Sequence, residues 1–277
     1  MVVNMVIFDR VRNISQERTN INNMNNMNNS NPSHDVIALI PAYNEEKTIE
    51  NIIKKTIEQN ACPIVIDDCS SDKTYELASK THNVLVLRNK ENLGKGPAIQ
   101  IARKFISKMP NLLKAKAVVI LDADFQYSPK EFTNLTQPIV DGKADIVLGF
   151  RHEKDIPYFR HSIANKIWTK SINFFYNCKD IHGKPIKDIC ALRAYSMDTF
   201  MNVERFDDPN WLTPRGFITE AHVLIEAIKN NLKIDQSYVK VKYYEKSSVR
   251  RGIRMFLGIE FYILKNGIPY LLKRIIK

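Results

Sequence analysis

The chain has 277 residues, of which 44% are hydrophobic and 26% charged, so it can bury a sizeable core and is neither collagen-like nor disordered throughout. Its formal net charge of +11 points to an anionic partner: nucleic acid, an anionic membrane surface or a phosphorylated substrate. Cys62, Cys69, Cys178 and Cys190 stand singly, which excludes a zinc signature and a disulfide framework and leaves reduced thiols.

No basic segment followed by an unbroken apolar run opens the chain, so no secretory signal is expected and a cytosolic setting is. Residues 1 to 34 read as a disordered leader, because the Asn-rich stretch from Asn20 to Asn31 lacks the apolar surface needed to offset ordering entropy. The ordered domain is expected over 35–250, with a basic tail over 251–277. Val36 to Ile40 reads as a buried strand, followed by the loop Pro41-Ala42-Tyr43-Asn44-Glu45-Glu46 and a helix through Lys47 to Gln59. Pro63 to Ile66 is a second strand, ending in Asp67-Asp68-Cys69-Ser70-Ser71-Asp72 before a helix from Lys73 to Thr81. A short strand over Val84 to Leu87 leads through Asn92-Leu93-Gly94-Lys95-Gly96-Pro97 into a helix reaching Lys108. Strands alternating with helices predict βαβ units and a mostly parallel sheet. Right-handed crossovers place the carboxyl ends of such strands on one edge, where ligands of open α/β sheets bind.

The run Ala117 to Leu121 reads as another buried strand, ending in Asp122-Ala123-Asp124-Phe125-Gln126. On an extended chain residues i and i+2 project to one side, so Asp122 and Asp124 are placed to converge. Two carboxylates that close repel unless a cation lies with them, and such oxygen ligands suit Mg2+ or Mn2+ held jointly with a substrate diphosphate. The alternative for this pair is an acidic turn after a core strand. For Glu45 the alternative is a helix N-terminal carboxylate, for Asp67 and Asp68 N-capping of the next helix, and for Lys95 a simple turn between two glycines.

Farther on, Ser128-Pro129 starts a helix, Asp145 to Leu148 forms a strand, and a helix runs from His161 to Tyr176. Gly216 begins a helix reaching Asn230, and Lys233 to Tyr244 alternates as a closing strand. The tail from Gly252 carries apolar clusters broken by Arg254, Glu260, Lys265 and Lys273-Arg274. No uncharged stretch approaches the roughly 18 residues of a spanning helix. An amphipathic segment lying in a membrane interface is expected, the alternative being a helix packed on the domain or on a partner.

The ordered series Ile40-Pro41-Ala42-Tyr43-Asn44-Glu45, Asp67-Asp68-Cys69-Ser70-Ser71-Asp72, Asn92-Leu93-Gly94-Lys95-Gly96 and Asp122-Ala123-Asp124-Phe125-Gln126 resembles that of family 2 glycosyltransferases, most closely the dolichyl-phosphate sugar synthases. The resemblance implies an α/β, Rossmann-like GT-A nucleotide-sugar fold with C-terminal amphipathic helices. It implies inverting, metal-dependent transfer from a nucleotide diphosphate sugar, a UDP-sugar rather than GDP-mannose, to a polyprenyl or dolichyl phosphate. Pro41, Tyr43, Glu45, Asp67, Asp68, Lys95 and Asp122 would bind the donor nucleotide. Asp122, Asp124 and Gln126 would hold Mg2+ or Mn2+, with Asp124 and Asp188 in catalytic roles. Arg151, Arg160 and Arg193 would grip the acceptor phosphate, Arg193 within Asp188-Ile189-Cys190-Ala191-Leu192-Arg193-Ala194-Tyr195-Ser196. That segment departs from the family in carrying Ala191 where glycine is usual and Asp188 one residue closer to the arginine. An anionic phosphate acceptor needs positioning more than deprotonation, so Asp188 has a structural alternative. Glu220 stands without the second glutamate of an E-x-E, His222 replacing it, and Ser248 and Arg250 match a segment near the donor phosphates.

The implied setting is peripheral, on the cytoplasmic face of the cell membrane. Alternative readings are transfer to a hydroxyl of a growing glycan, a nucleotidyltransferase on a similar fold, and a basic nucleic-acid-binding protein. The last lacks a recognised binding motif or aromatic-basic interleaving.

Overall fold

The computed structural model describes residues 34–156, 159–189, 192–202, 219–243 and 249–276, with the side chains of 159–161, 219–220 and 249–255 outside the description. The expected leader and Ser248 therefore lie outside the described residues, as do the side chains of Arg160, Glu220 and Arg250. The chain forms two compact units, Met1–Ala115 with Leu121–Asp124, and Lys116–Ile120 with Phe125–Lys277.

In the first unit, strands β1 (Val36–Ala42), β2 (Ala61–Asp67) and β3 (Leu85–Arg88) alternate with helices α1 (Ile49–Glu58), α2 (Thr74–Lys80) and α3 (Lys95–Ile106). The strands lie in the order β3-β2-β1 and both pairings are parallel. All seven residues of β2 are buried, as a central parallel strand covered on both faces requires. Helix α1 buries Ile49, Ile52, Ile53 and Thr56, one stripe at the 3.6-residue period. Each fully buried Ile or Leu contributes roughly 1.5–3 kcal/mol relative to exposure. The register matters for function: Ala42 pairs with Asp67, and Asp67 with Arg88, so the ends of three strands are level on one edge.

The second unit holds β4 (Ala117–Ile120), α4 (Phe132–Val140), β5 (Ile146–Phe150), α5 (Phe159–Tyr176), β6 (Arg193–Ser196), α6 (Met197–Met201), α7 (Thr219–Lys229), β7 (Ile234–Tyr238) and α8 (Val249–Ile276). Its strands run in the order β4-β6-β5-β7, with β6 antiparallel to both neighbours and β5 parallel to β7. At Gly149 in β5 an added Cβ would lie 2.7 Å from the Leu192 carbonyl oxygen and 2.9 Å from Val239, so this strand admits only glycine there. The α/β class and the mostly parallel strands agree with expectation.

Three boundaries differ from the sequence reading. Strand β4 stops at Ile120, so Asp122 and Asp124 lie in the turn that follows rather than on an extended strand. Strand β7 ends at Tyr238; beyond it Val239 N–H donates to Phe150 O at 2.9 Å and Val241 bridges Tyr127. The tail is one 28-residue helix, α8, instead of several, and it accommodates Pro269 within its length.

Candidate active site

Where β1, β2 and β3 end, two loops are stitched together by side chains. Asn44, held at φ 57°, donates its N–H to Ser70 Oγ at 3.0 Å, while its Oδ1 accepts the Ser71 N–H at 2.9 Å. The Glu45 N–H donates to Thr74 Oγ1 at 2.7 Å, the Glu46 N–H to Asp72 Oδ2 at 3.1 Å, and the Lys73 N–H to Glu46 Oε2 at 3.2 Å. Asp72 also accepts the Thr74 N–H at 2.9 Å at the head of α2. Although burial pushes its carboxyl up, these hydrogen bonds from Thr74 and Glu46 hold it below the ordinary carboxylate range. Of the acidic residues in this loop it is Asp72, rather than Asp67 or Asp68, that accepts a backbone N–H at the head of α2.

Asp67 and Asp68 are both buried, with different partners. Asp67 accepts the Ser70 N–H at 3.3 Å and lies 3.1 Å from Arg88 Nε; burial raises its carboxyl above the ordinary value against the pull of Ser70 and Arg88. Arg88 also donates to the Ser70 carbonyl and stacks 4.5 Å over the Tyr75 ring. Asp68 reaches the next loop, accepting Asn89 Nδ2 at 2.7 Å, the Leu93 N–H at 2.9 Å and the Gly94 N–H at 2.6 Å. It therefore sets the loop whose next residue is Lys95, the first of α3. Gly94, at φ 86°, takes a conformation that side chains rarely adopt.

The Leu121 N–H donates to Leu39 O at 2.9 Å, keeping the chain alongside β1 for one residue past β4. Leu121 and Ala123 are buried while Asp122 and Asp124 are half-exposed, so the alternation survives the end of the strand. Phe125 then adopts φ 61°, uncommon outside glycine and recurrent where backbone strain serves a site. Lys95 Nζ lies 2.5 Å from Asp122 Oδ1. Glu45 has its carboxyl raised by burial first, then by the nearby negative charges of Asp124, Asp72 and Asp122, against a hydrogen bond from Thr48. Glu45, Asp122 and Asp124 thus share one field, while Pro41 is half-buried and the Tyr43 ring is exposed beyond β1.

Among the described residues no group of three His, Cys, Asp or Glu side chains forms a metal site by itself. The donor set still fits a hard cation: Asp122 already accepts a cationic ammonium, and hard ions in such sites take one or two carboxylates and complete their shell with waters and substrate phosphates. Gln126 belongs to the second unit, where its carbonyl accepts the Lys242 N–H at 2.9 Å.

Also in the second unit, Arg151 and Asp188 form a buried two-pronged ion pair, Nε to Oδ2 at 2.7 Å and Nη2 to Oδ1 at 2.9 Å. Asp188 Oδ2 accepts the Arg151 N–H as well, and Arg151 Nη1 donates to Tyr243 Oη at 2.9 Å. Arg193 is buried and donates from Nη2 to the Ile189 carbonyl. The fork geometry that suits arginine to phosphate is here directed at protein oxygens. Arg160 lies in the first turn of α5, and Cys190 and Ala191 lie outside the described residues. Cys62, Cys69 and Cys178 are free thiols, burial pushing Cys62 and Cys178 up to about 12.

Asn44, Ser70, Thr74, Arg88 and Asn89 are site-forming residues that sequence reasoning did not single out. Their signal is positional: each sits at a strand end, in the loop just past it or, for Thr74, at the head of the helix that follows. Tyr243 carries no comparable signal, because it reaches Arg151 across 92 residues of chain.

The family model described as glycosyl transferase family 2 matches residues 37–200. An uncharacterised protein of Methanocaldococcus jannaschii is 31% identical over 245 residues, covering 83% of this chain and 98% of that one. The UDP-N-acetylglucosamine–dolichyl-phosphate N-acetylglucosaminyltransferase of Methanococcus voltae is 27% identical over 254 residues, covering 84% and 96%. Among solved structures, glucosyl-3-phosphoglycerate synthase from Mycobacterium tuberculosis in complex with Mn2+ and UDP-glucose shares the fold with a TM-score of 0.57 at 18% identity, covering 84% of this chain and 78% of that one. The fold is thus of the GT-A kind, and the ordered loops carrying Glu45, Asp68, Lys95 and the Asp122/Asp124 pair fall inside a family match spanning most of the chain: this protein is a member of glycosyltransferase family 2.

Proposed function

We propose that this glycosyltransferase moves one sugar, with inversion, from a UDP-sugar to a polyprenyl phosphate of the dolichyl type, using Mg2+ or Mn2+ at the cytoplasmic face of a membrane. The observation that carries the reading is the likeness to the Methanococcus voltae enzyme over 84% of this chain and 96% of that one, since that enzyme's name states both a UDP-linked donor and a dolichyl-phosphate acceptor.

Each residue group has a matching task. Pro41, Tyr43, Asp67 and the stitched loops border the nucleotide. Asp68 shapes the loop that presents Lys95 to the diphosphate. Asp122 and Asp124 would hold the divalent ion, which would supply positive charge against the negative charge developing on the leaving diphosphate. The acceptor phosphate is already anionic and attacks the anomeric carbon without surrendering a proton, so the chain must orient it rather than deprotonate it. That assigns Asp188 a positioning role: buried and engaged on both oxygens, it fixes Arg151. Arg160 is left as the acceptor-phosphate ligand, since Arg151 is paired with Asp188 and Arg193 donates to the Ile189 carbonyl.

The test is transfer of labelled sugar into an organic-soluble product, using detergent, dolichyl phosphate, Mg2+ or Mn2+ and a panel of UDP- and GDP-sugars. A lipid product from one UDP-sugar that disappears with chelator is expected. Metal-dependent donor hydrolysis without any lipid product would move the acceptor to a glycan hydroxyl, and turnover only with GDP-mannose would overturn the donor assignment.

A further inference from the structure

Helix α8 has an apolar inner side and an apolar outer stripe. Its inner side buries Ile259 and Ile263 and carries Glu260, whose Oε1 accepts the Ser171 hydroxyl of α5 at 2.8 Å, and Tyr262, which hydrogen-bonds His222 of α7. Its outward side carries Leu257, Phe261, Leu264, Ile268, Leu272 and Ile275, at spacings of three and four residues, with Phe261 68% and Ile275 70% exposed. A helix packed only for a water-soluble surface is polar on its outer side. A continuous stripe of this kind, unlike single exposed apolar residues, marks an interaction surface.

Helix α5 extends the surface. It meets α8 through Trp168 stacked on Phe256, Ser171 on Glu260, and Phe175 against Gly267, where an added Cβ would come within 2.7 Å of the ring. Partners rise together in both sequences, so the two helices run parallel. Counting 3.6 residues per turn, the exposed Ile163, Ile167 and Phe174 stand roughly 90° to one side of α5's contact line. Leu257, Phe261, Leu264 and Ile268 stand roughly 90° to the opposite side of α8's. For parallel helices facing each other those opposite offsets point the same way, so the two stripes form one apolar face. Its charge is one-sided: Lys170, Lys265, Lys273 and Arg274 are exposed on these helices, and their single acidic residue is the inward Glu260. No described helix is long and apolar enough to cross a membrane.

We propose that this face of the α5–α8 pair is the surface on which the protein lies against an anionic lipid bilayer, apolar side chains entering the acyl boundary and lysines meeting the headgroups. The inference rests on the lipid-acceptor reading for its choice of a bilayer over a second copy of the chain; the basic rim, which two copies would bring into mutual repulsion, favours the same choice.

The experiment is flotation of the full chain with vesicles of phosphatidylcholine containing about one-third phosphatidylglycerol, and with phosphatidylcholine alone. The protein is expected to float with the anionic vesicles, less so at high salt. Phe261→Ser with Ile268→Ser is expected to weaken binding at least about tenfold, and Lys265→Glu with Lys273→Glu to remove the salt-sensitive part. Unchanged circular dichroism and thermal midpoint would show that these exposed positions leave the fold intact. Transfer to a short-chain, water-soluble polyprenyl phosphate should survive in the Phe261/Ile268 variant, so failure to float and failure of the chemistry are read separately. A native chain that stays with the soluble fraction in both mixtures, or a Phe261/Ile268 variant that floats like the native chain, would overturn the proposal. A dimer that the same variant dissolves, without vesicle binding, would overturn it in favour of a second copy.

Discussion

Lys95 Nζ lies 2.5 Å from Asp122 Oδ1, an ammonium resting on a carboxylate that the proposed reaction assigns to a divalent ion. Under that proposal the two cations would compete for one acceptor when no donor is bound, and the incoming diphosphate would give Lys95 another anion. Replacing Lys95 by Ala is therefore expected to tighten Mn2+ binding to the free protein several-fold, read by titration, while lowering kcat/KM for the donor by about 10²-fold. Unchanged Mn2+ affinity would show that Lys95 does not guard the site.

Asp124→Ala should separate chemistry from folding. Its carboxylate is half-exposed and follows the strand instead of packing in the core. Transfer is expected to fall by at least about 10³-fold, with the thermal midpoint within about 2 °C of the native chain. Retained turnover in metal would remove the pair from the site.

The carboxylate field also makes a pH prediction. Glu45 keeps its proton to a higher pH when folded than when unfolded, chiefly because it is buried and then because Asp124, Asp72 and Asp122 are near. Stability should thus decline as pH rises from the ordinary glutamate value of 4.5 through the raised one. Glu45→Gln is expected to gain stability against urea at pH 7 and none at pH 4. Added Mn2+ should shrink that gain by stabilising the ionised carboxylates. A variant no more stable at pH 7 than the native chain would show that the field is relieved in some other way.

Breaking the Arg151–Asp188 pair tests a positioning role. Asp188→Ala strands a buried guanidinium and is expected to cost about 3–5 kcal/mol in chemical denaturation. Arg151→Met with Asp188→Leu should recover much of that stability without restoring turnover. A double variant that transfers sugar normally would leave the pair purely structural.

Gly149→Ala places a methyl against the Leu192 carbonyl oxygen, backbone that cannot yield easily. A loss of about 1–3 kcal/mol is expected in urea melts; a neutral substitution would show that β5 shifts readily.

Much of the first unit is legible from its residues. Val36–Ile40 and Pro63–Ile66 are apolar runs of strand length, and polar loops follow them at the edge where parallel strands end. Asp68 is harder to place, because its neighbour in sequence is the head of α2 while its partners, Asn89, Leu93 and Gly94, are more than 20 residues on. Capping is a local property and the sequence displays it; a carboxylate reaching the next loop depends on strand register. The same limit applies to Arg151 and Arg193, whose fork geometry attracts phosphate and protein carboxylate or carbonyl alike until Asp188 and Ile189 are seen beside them. In the tail, amphipathicity is visible from spacing, but which side faces inward depends on Ser171 and His222, which receive Glu260 and Tyr262 of α8.

The stitching of the loop after β1 to the loop after β2 joins Asn44, Glu46, Ser70 and Asp72 in one hydrogen-bonded cluster. Flexible nucleotide sites lose affinity to the immobilisation of their own loops on binding. Here that loss is incurred during folding, so a nucleotide arriving at these strand ends should associate with little rearrangement of the chain and with a small unfavourable conformational entropy.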